Sequence, residues 1–294
     1  MFHFVKNSLR TYGNIQKLIY IIILFWEISG MILTNPFAEL SLSVPSILMQ
    51  LFVIIMISLV IIGTVMDIIH KKNVKYFFQN AKKAKLQAKR EVSSGEKTSI
   101  ILKTVGHDIL TTSELGAGKR RVAHLLGMYG TIIFWISSVI MIFSYSSVNI
   151  STPTYWPILW HLGALMTCLG GYWFWFFLRV DVAAEAFPWY RIIQADLFVL
   201  ALIVTSTFAL LWSFFQFSNI KTWDTLFLAL FILSNLVLFG GVYWSKFAHM
   251  FYKPGAAIQK NLAEADGSRD NLPLPADKPK QFGLGIKRES PKHY

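Results

Sequence analysis

The chain has 294 residues, 54% hydrophobic and 15% charged, with a formal net charge of +12 and a mean hydropathy of +0.48. A soluble domain carries about 25% charge, so this composition excludes a soluble enzyme and a disordered chain and reads as an all-α integral membrane protein. The single cysteine, Cys168, excludes a disulfide scaffold, an iron–sulfur cluster and a cysteine-rich zinc site.

A helix needs about 20 apolar residues to cross the bilayer core. Six segments qualify: Leu18–Leu33, Ile47–Ile69, Val122–Phe143, Trp156–Leu178, Leu197–Phe217 and Leu226–Phe247. The first carries Glu27 and is followed by no small-residue cleavage site, so it reads as a span and not as a signal peptide. The expectation is a six-helix transmembrane bundle.

Basic residues alternate between the connections. Three precede the first span, none lie in Asn35–Ser46, and thirteen lie in His70–Arg121. None lie in Phe143–Tyr155, two in Arg179–Asp196, one in Ser218–Thr225 and nine from Lys246 onward. Lys and Arg stay on the cytoplasmic side, which puts both termini on that side of the membrane and the three short connections on the other. The +12 charge is then a matter of topology, with a basic surface for anionic lipid or an acidic partner. Tyr155, Trp156 and Trp160, the run Trp173–Phe177, and Tyr243 with Trp244 read as interfacial belts.

Four regions follow. Residues 1–70 hold two spans. Residues 71–121 form a basic loop, whose stretch Val74–Val92 mixes Phe77, Phe78, Ala81 and Leu86 with Lys and Arg. It reads as an amphipathic helix on the membrane surface or on a partner, or as a solvated loop. Residues 122–253 hold four spans. Residues 254–294 carry Pro273, Pro275, Pro279 and Pro291 and read as a flexible, extended tail.

Ionisable groups in spans are functional candidates by default. His124 follows Arg121 by three residues and His249 follows Lys246 by three, at the inner ends of the third and sixth spans. One imidazole from each of two facing helices is the ligand set of a b-type haem. Gly127 and Gly130 after His124, and Gly240 and Gly241 before His249, would leave room for a porphyrin. Arg121 and Lys246 could neutralise its propionates. The competing reading gives the glycines to close helix packing and the histidines to the wet interface. His161 lies near the outer end of the fourth span without a histidine partner, and suits either a second haem or a quinone carbonyl. Reduction of a quinone takes up protons. The acidic candidates are Glu27, Asp181 and Glu185, with pairing to Arg179 or Arg191 as the alternative role of the last two. Asn235 reads as an interhelical hydrogen bond.

Three stretches carry a resemblance: GHDILTTSELGAGKRRVAHLLGMY (Gly106–Tyr129), WHLGALMTCLGG (Trp160–Gly171) and SKFAHMFYKPGAA (Ser245–Ala257). Over about half the chain they resemble the cytochrome b membrane subunits of the nitrate-reductase gamma-like superfamily. The nearest branches are the membrane subunit of the quinone-interacting oxidoreductase and the anchor associated with adenylylsulfate reductase. The resemblance implies haem b, a prokaryotic cytoplasmic membrane, and electron exchange between the quinone pool and a cytoplasmic iron–sulfur or flavin partner. It maps ligand-type histidines onto His124, His161 and His249, and a loop histidine onto His107. The chain departs from the quinone-interacting branch in having two extra spans, no cluster cysteines and no cysteine in Thr111–Gly118. That favours the reductase-anchor branch, with adenylylsulfate reductase as partner in dissimilatory sulfur metabolism. The rival is a non-redox membrane anchor or scaffold for a soluble complex.

Overall fold

The computed structural model describes residues 27–71, 73–115, 118–180, 188–245 and 249–268, and every regular element among them is helical. Residues 27–33 are helical. Then come α1 (Pro36–Leu40), α2 (Ser46–Lys71), α3 (Asn73–Leu86) and α4 (Ser94–Lys103). A π-helical stretch, Thr104–Ile109, and a 3-10 turn, Ser113–Leu115, lead to α5 (Lys119–Ser144). The remaining helices are α6 (Tyr155–Trp173), α7 (Leu197–Phe217), α8 (Lys221–Gly240) and α9 (His249–Asp266).

Among the described residues five helices are long and apolar enough to cross a membrane: Ser46–His70, Lys119–Ser144, Tyr155–Leu178, Leu197–Phe217 and Lys221–Gly240. The chain is a helical, multi-pass membrane protein. The expected first span lies outside the described residues except for 27–33.

Three expectations change. The last span is Lys221–Gly240 and not Leu226–Phe247. It starts early because Asn219 turns the chain at φ 55° just before Lys221. It ends early because Gly240 and Gly241, both poor helix formers, open into turns through Ser245. His249 therefore does not close that span; it begins the separate helix α9. Secondly, the chain from Pro254 is not extended at first. It stays helical to Asp266, because α9 packs on other elements strongly enough to absorb the amide that Pro254 lacks. Thirdly, the fourth span leaves α-helical geometry at Phe174–Leu178, which is π-helical.

The described chain divides into two units. One draws on Met1–Ile55, Tyr129–Cys168 and Val204–Asn235. Its core is aromatic. Phe37 from α1 meets Trp160 edge-on at 5.8 Å and Trp212 at 5.6 Å, and Phe231 stacks on Trp212 at 5.6 Å. Asn35 sets α1 in place by capping the amides of Phe37 and Ala38. Its Nδ2 also donates to the Tyr145 carbonyl at 2.8 Å and to Thr152 Oγ1 at 3.0 Å. Helices α5 and α6 approach through glycine: a Cβ on Gly130 would sit 2.6 Å from Thr167 N, and one on Gly163 would sit 2.6 Å from Phe134 N. In lipid such close packing, and not water release, holds helices together.

The other unit draws on Met56–Met128, Leu169–Ile203 and Leu236–Tyr294. Here α9 lies against α3, α4 and the π-helical stretch. Ala84, Ala257 and Ala263 are buried, and the Phe77 ring covers Gly255. Ser93 caps α4, and Arg90 reaches both the Ala265 carbonyl at 2.7 Å and Glu96. The amides of Lys89 and Arg90 donate to the Asp266 carbonyl, where Gly267 at φ 77° ends α9. The basic stretch after α2 is thus two helices packed on a third.

Candidate functional site

The N-terminal end of α5 brings together two of the groups nominated from the sequence, Arg121 and His124. Lys119, Arg120 and Arg121 form its first turn. Arg121 is half-buried, and its Nε donates to the Thr111 carbonyl at 2.7 Å. That bond holds the preceding loop against the helix and engages the guanidinium that was assigned to a propionate. Thr112, the next residue, is buried at φ 49°, a strained geometry for a β-branched side chain.

One turn into α5 stands His124, exposed. Three residues on, a Cβ placed on Gly127 would meet nothing within 4 Å. The i, i+3 pair therefore shares one side of α5, exposed at His124 and open at the Cβ position of Gly127. The other glycines do different work. A Cβ on Gly170 would lie 2.5 Å from both Ala123 O and Gly127 N, and one on Gly171 would strike Ile203. Gly130, Gly163, Gly170 and Gly171 are packing glycines, whereas Gly127 and Gly240, within the spans, keep an open side.

His249 begins α9 in the same unit as His124, and its side chain lies outside what is described, as does Lys246. Asp181 and Glu185 also lie outside the described residues. Glu27 is half-buried in the helical residues 27–33. Among the described residues no group of three or more His, Cys, Asp or Glu side chains gathers around one point. A haem held by two imidazoles needs no such group.

His107 is exposed in the π-helical stretch and makes a 3.1 Å contact from Nδ1 to Asp108. Asp108 also accepts from Ser113 Oγ at 2.7 Å and from Asn261 Nδ2 at 2.9 Å. Ser113 first, then His107 and Asn261, hold its carboxyl down at about 2. Asn261 Nδ2 bridges on to Thr104 Oγ1 at 2.8 Å, so the cluster fastens α9 to the π-helical stretch.

His161 belongs to the first unit and is buried, 4% exposed. Nδ1 donates to the Pro157 carbonyl at 2.8 Å, and Nε2 faces Ser213 Oγ at 2.8 Å. A neutral ring so fixed accepts the Ser213 proton at Nε2. The nitrogen that would bind iron is taken, and a quinone carbonyl would find a donor there only if Ser213 turned away. Asn235 is buried, and its Nδ2 donates to the Phe231 carbonyl of its own helix at 2.8 Å.

Two polar pairings escaped the sequence reading. Asp67 in α2 is only 2% exposed and stands beside Tyr252 of α9. Burial first, then the Asp67 carboxylate, pushes the Tyr252 phenol up to about 12. The signal was available: a carboxylate inside an apolar run is the same observation that singled out Glu27. Arg179 is fully buried, 4.3 Å over the Trp175 ring and paired with Asp196; the acidic residues nominated for it lie outside the described residues. No local pattern marks that pairing.

No protein-family profile, curated protein or solved structure matches this chain.

Proposed function

We propose that the protein is a haem b membrane subunit that passes electrons between the quinone pool and a soluble redox partner on its basic side. The observation that carries this reading is the side of α5 shared by His124 and Gly127, exposed at the first and open at the second, beside a cationic first turn and in the same unit as the helix that His249 begins. His124 and His249 would hold the haem, one imidazole each, from two separate helices. Arg120, Lys119 and Lys253 would face its propionates, since Arg121 is engaged with Thr111. Haem b bound there would supply one-electron transfer at the membrane surface. With its own proton given to the Pro157 carbonyl and Nε2 accepting from Ser213, His161 is assigned to the core of the first unit and not to a second haem. The choice of adenylylsulfate reductase as partner rests on the three resembling stretches and on the absence of cluster cysteines in this chain.

A second reading has its own observation. Helices α3, α4 and α9 form a folded layer outside the spans, which is what a non-redox anchor for a soluble complex needs.

The deciding experiment is a dithionite-reduced minus oxidised spectrum of the purified full chain, expressed with ample haem, together with haem per polypeptide. One b-type haem, lost in both His124→Ala and His249→Ala while His161→Ala keeps it, is the expected result. A folded protein without haem overturns the redox reading and leaves the anchor.

A further inference from the structure

Helix α3 has two faces one residue apart. Val74, Phe77, Ala81 and Ala84 are withdrawn from solvent, with Phe77 over Gly255 of α9. Lys75, Phe78, Lys82 and Lys85 repeat the same 3-4-3 spacing one position on, and all four are exposed. Phe78 is 64% exposed and Leu86, at the end of the same face, 79%. From Lys71 to Arg90 the sequence has eight basic residues and no acidic one. One residue separates α3 from α2, which is a membrane span.

We propose that the Lys75–Phe78–Lys82–Lys85 face of α3 rests on the anionic surface of the bilayer that α2 crosses. Three features select lipid over an acidic protein. The helix starts at the end of a span, so the bilayer surface is already within reach. An aromatic and an aliphatic side chain stand exposed among the lysines, the composition of an interfacial helix. A run of cations beside a span, with no intervening carboxylate, matches acidic headgroups. Phe78 and Leu86 enter the headgroup boundary and the lysines lie among the phosphates. The layer of α3, α4 and α9 is thereby held against the membrane by its own edge.

The test uses the full chain in nanodiscs, with a spin label on Phe78→Cys; Cys168 is buried and does not compete. With phosphatidylglycerol present, oxygen should reach the label in preference to a water-soluble nickel chelate. In pure phosphatidylcholine, or in the K75Q/K82Q/K85Q variant, the label should shift towards water. Equal aqueous access in every lipid overturns the proposal. So does protection that appears only when an acidic soluble protein is added, which would make α3 a docking face. Should the label disturb folding, unlabelled protein serves. Native mass spectrometry should show retained phosphatidylglycerol, with the preference weakened about fivefold per lysine removed, the equivalent of about 1 kcal/mol per charge. No preference in the unlabelled wild type overturns the proposal as well.

Discussion

Asp196 receives Arg179 as a buried fork, with Nη2 2.5 Å from Oδ2 and Nε 3.3 Å from Oδ1. The same guanidinium donates to the carbonyls of Pro188 and Arg191, and Oδ2 accepts from the Ile193 amide at 2.9 Å. One buried cation thus ties Pro188, Arg191 and Asp196 together just ahead of α7. Removing one partner strands a charge, which costs about 3–5 kcal/mol. Asp196→Ala should lower the detergent melting temperature sharply, whereas Arg179→Met with Asp196→Leu should recover most of the loss. A silent single substitution would contradict the pairing.

The glycines of α5 and α6 separate into two classes that substitution can read. Gly163→Ala and Gly170→Ala put a Cβ into the backbone of the facing helix and should destabilise by about 1–3 kcal/mol. Gly127→Ala meets open space, and thermal melts should find it within about 0.5 kcal/mol of wild type. On the haem reading, Gly127→Leu keeps the fold and loses the chromophore.

The Asp108 cluster sets an acid limit on the docking of α9. Its folded pKa, about 2, lies below the ordinary 3.8. The stabilisation is therefore complete above pH 4 and is lost as pH falls from there through 2. Hydrogen exchange of the α9 amides should speed up over that window. Asp108→Asn should abolish the pH dependence, and Asn261→Ala should loosen α9 at every pH.

Tyr252 gives the opposite sign. Its phenol is raised from 10 to about 12, so the neutral form is favoured in the fold. The contribution is intact below pH 10 and fades as pH rises through 12. The ultraviolet difference between wild type and Tyr252→Phe should show a phenol ionising near 12. Asp67→Asn should bring that ionisation down, and no change would remove Asp67 from its surroundings.

How much of this was legible in the chain depends on the range of the forces involved. Leu197–Phe217 matches its expected bounds, and three other spans match within a few residues, because lipid solvation is summed residue by residue along a local stretch. The amphipathic character of Asn73–Leu86 was readable for the same reason. The end of α8 at Gly240 was not, since an apolar window runs on through Tyr243 and Trp244 while the backbone turns. The helical state of Pro254 was equally hidden, because only packing on α3, α4 and the π-helical stretch offsets its missing amide.

By itself the sequence determined that this is a helical membrane protein, where its apolar helices run and at which ends its cations collect. Those are properties of composition, additive over neighbours. Only the tertiary structure decided that Gly163 and Gly170 serve packing and that Arg179 belongs to Asp196. It also turned His161 Nε2 onto Ser213 and set Asp67 beside Tyr252. Each of these depends on two residues distant in sequence meeting in a low-dielectric interior, where one partner changes what the other can do.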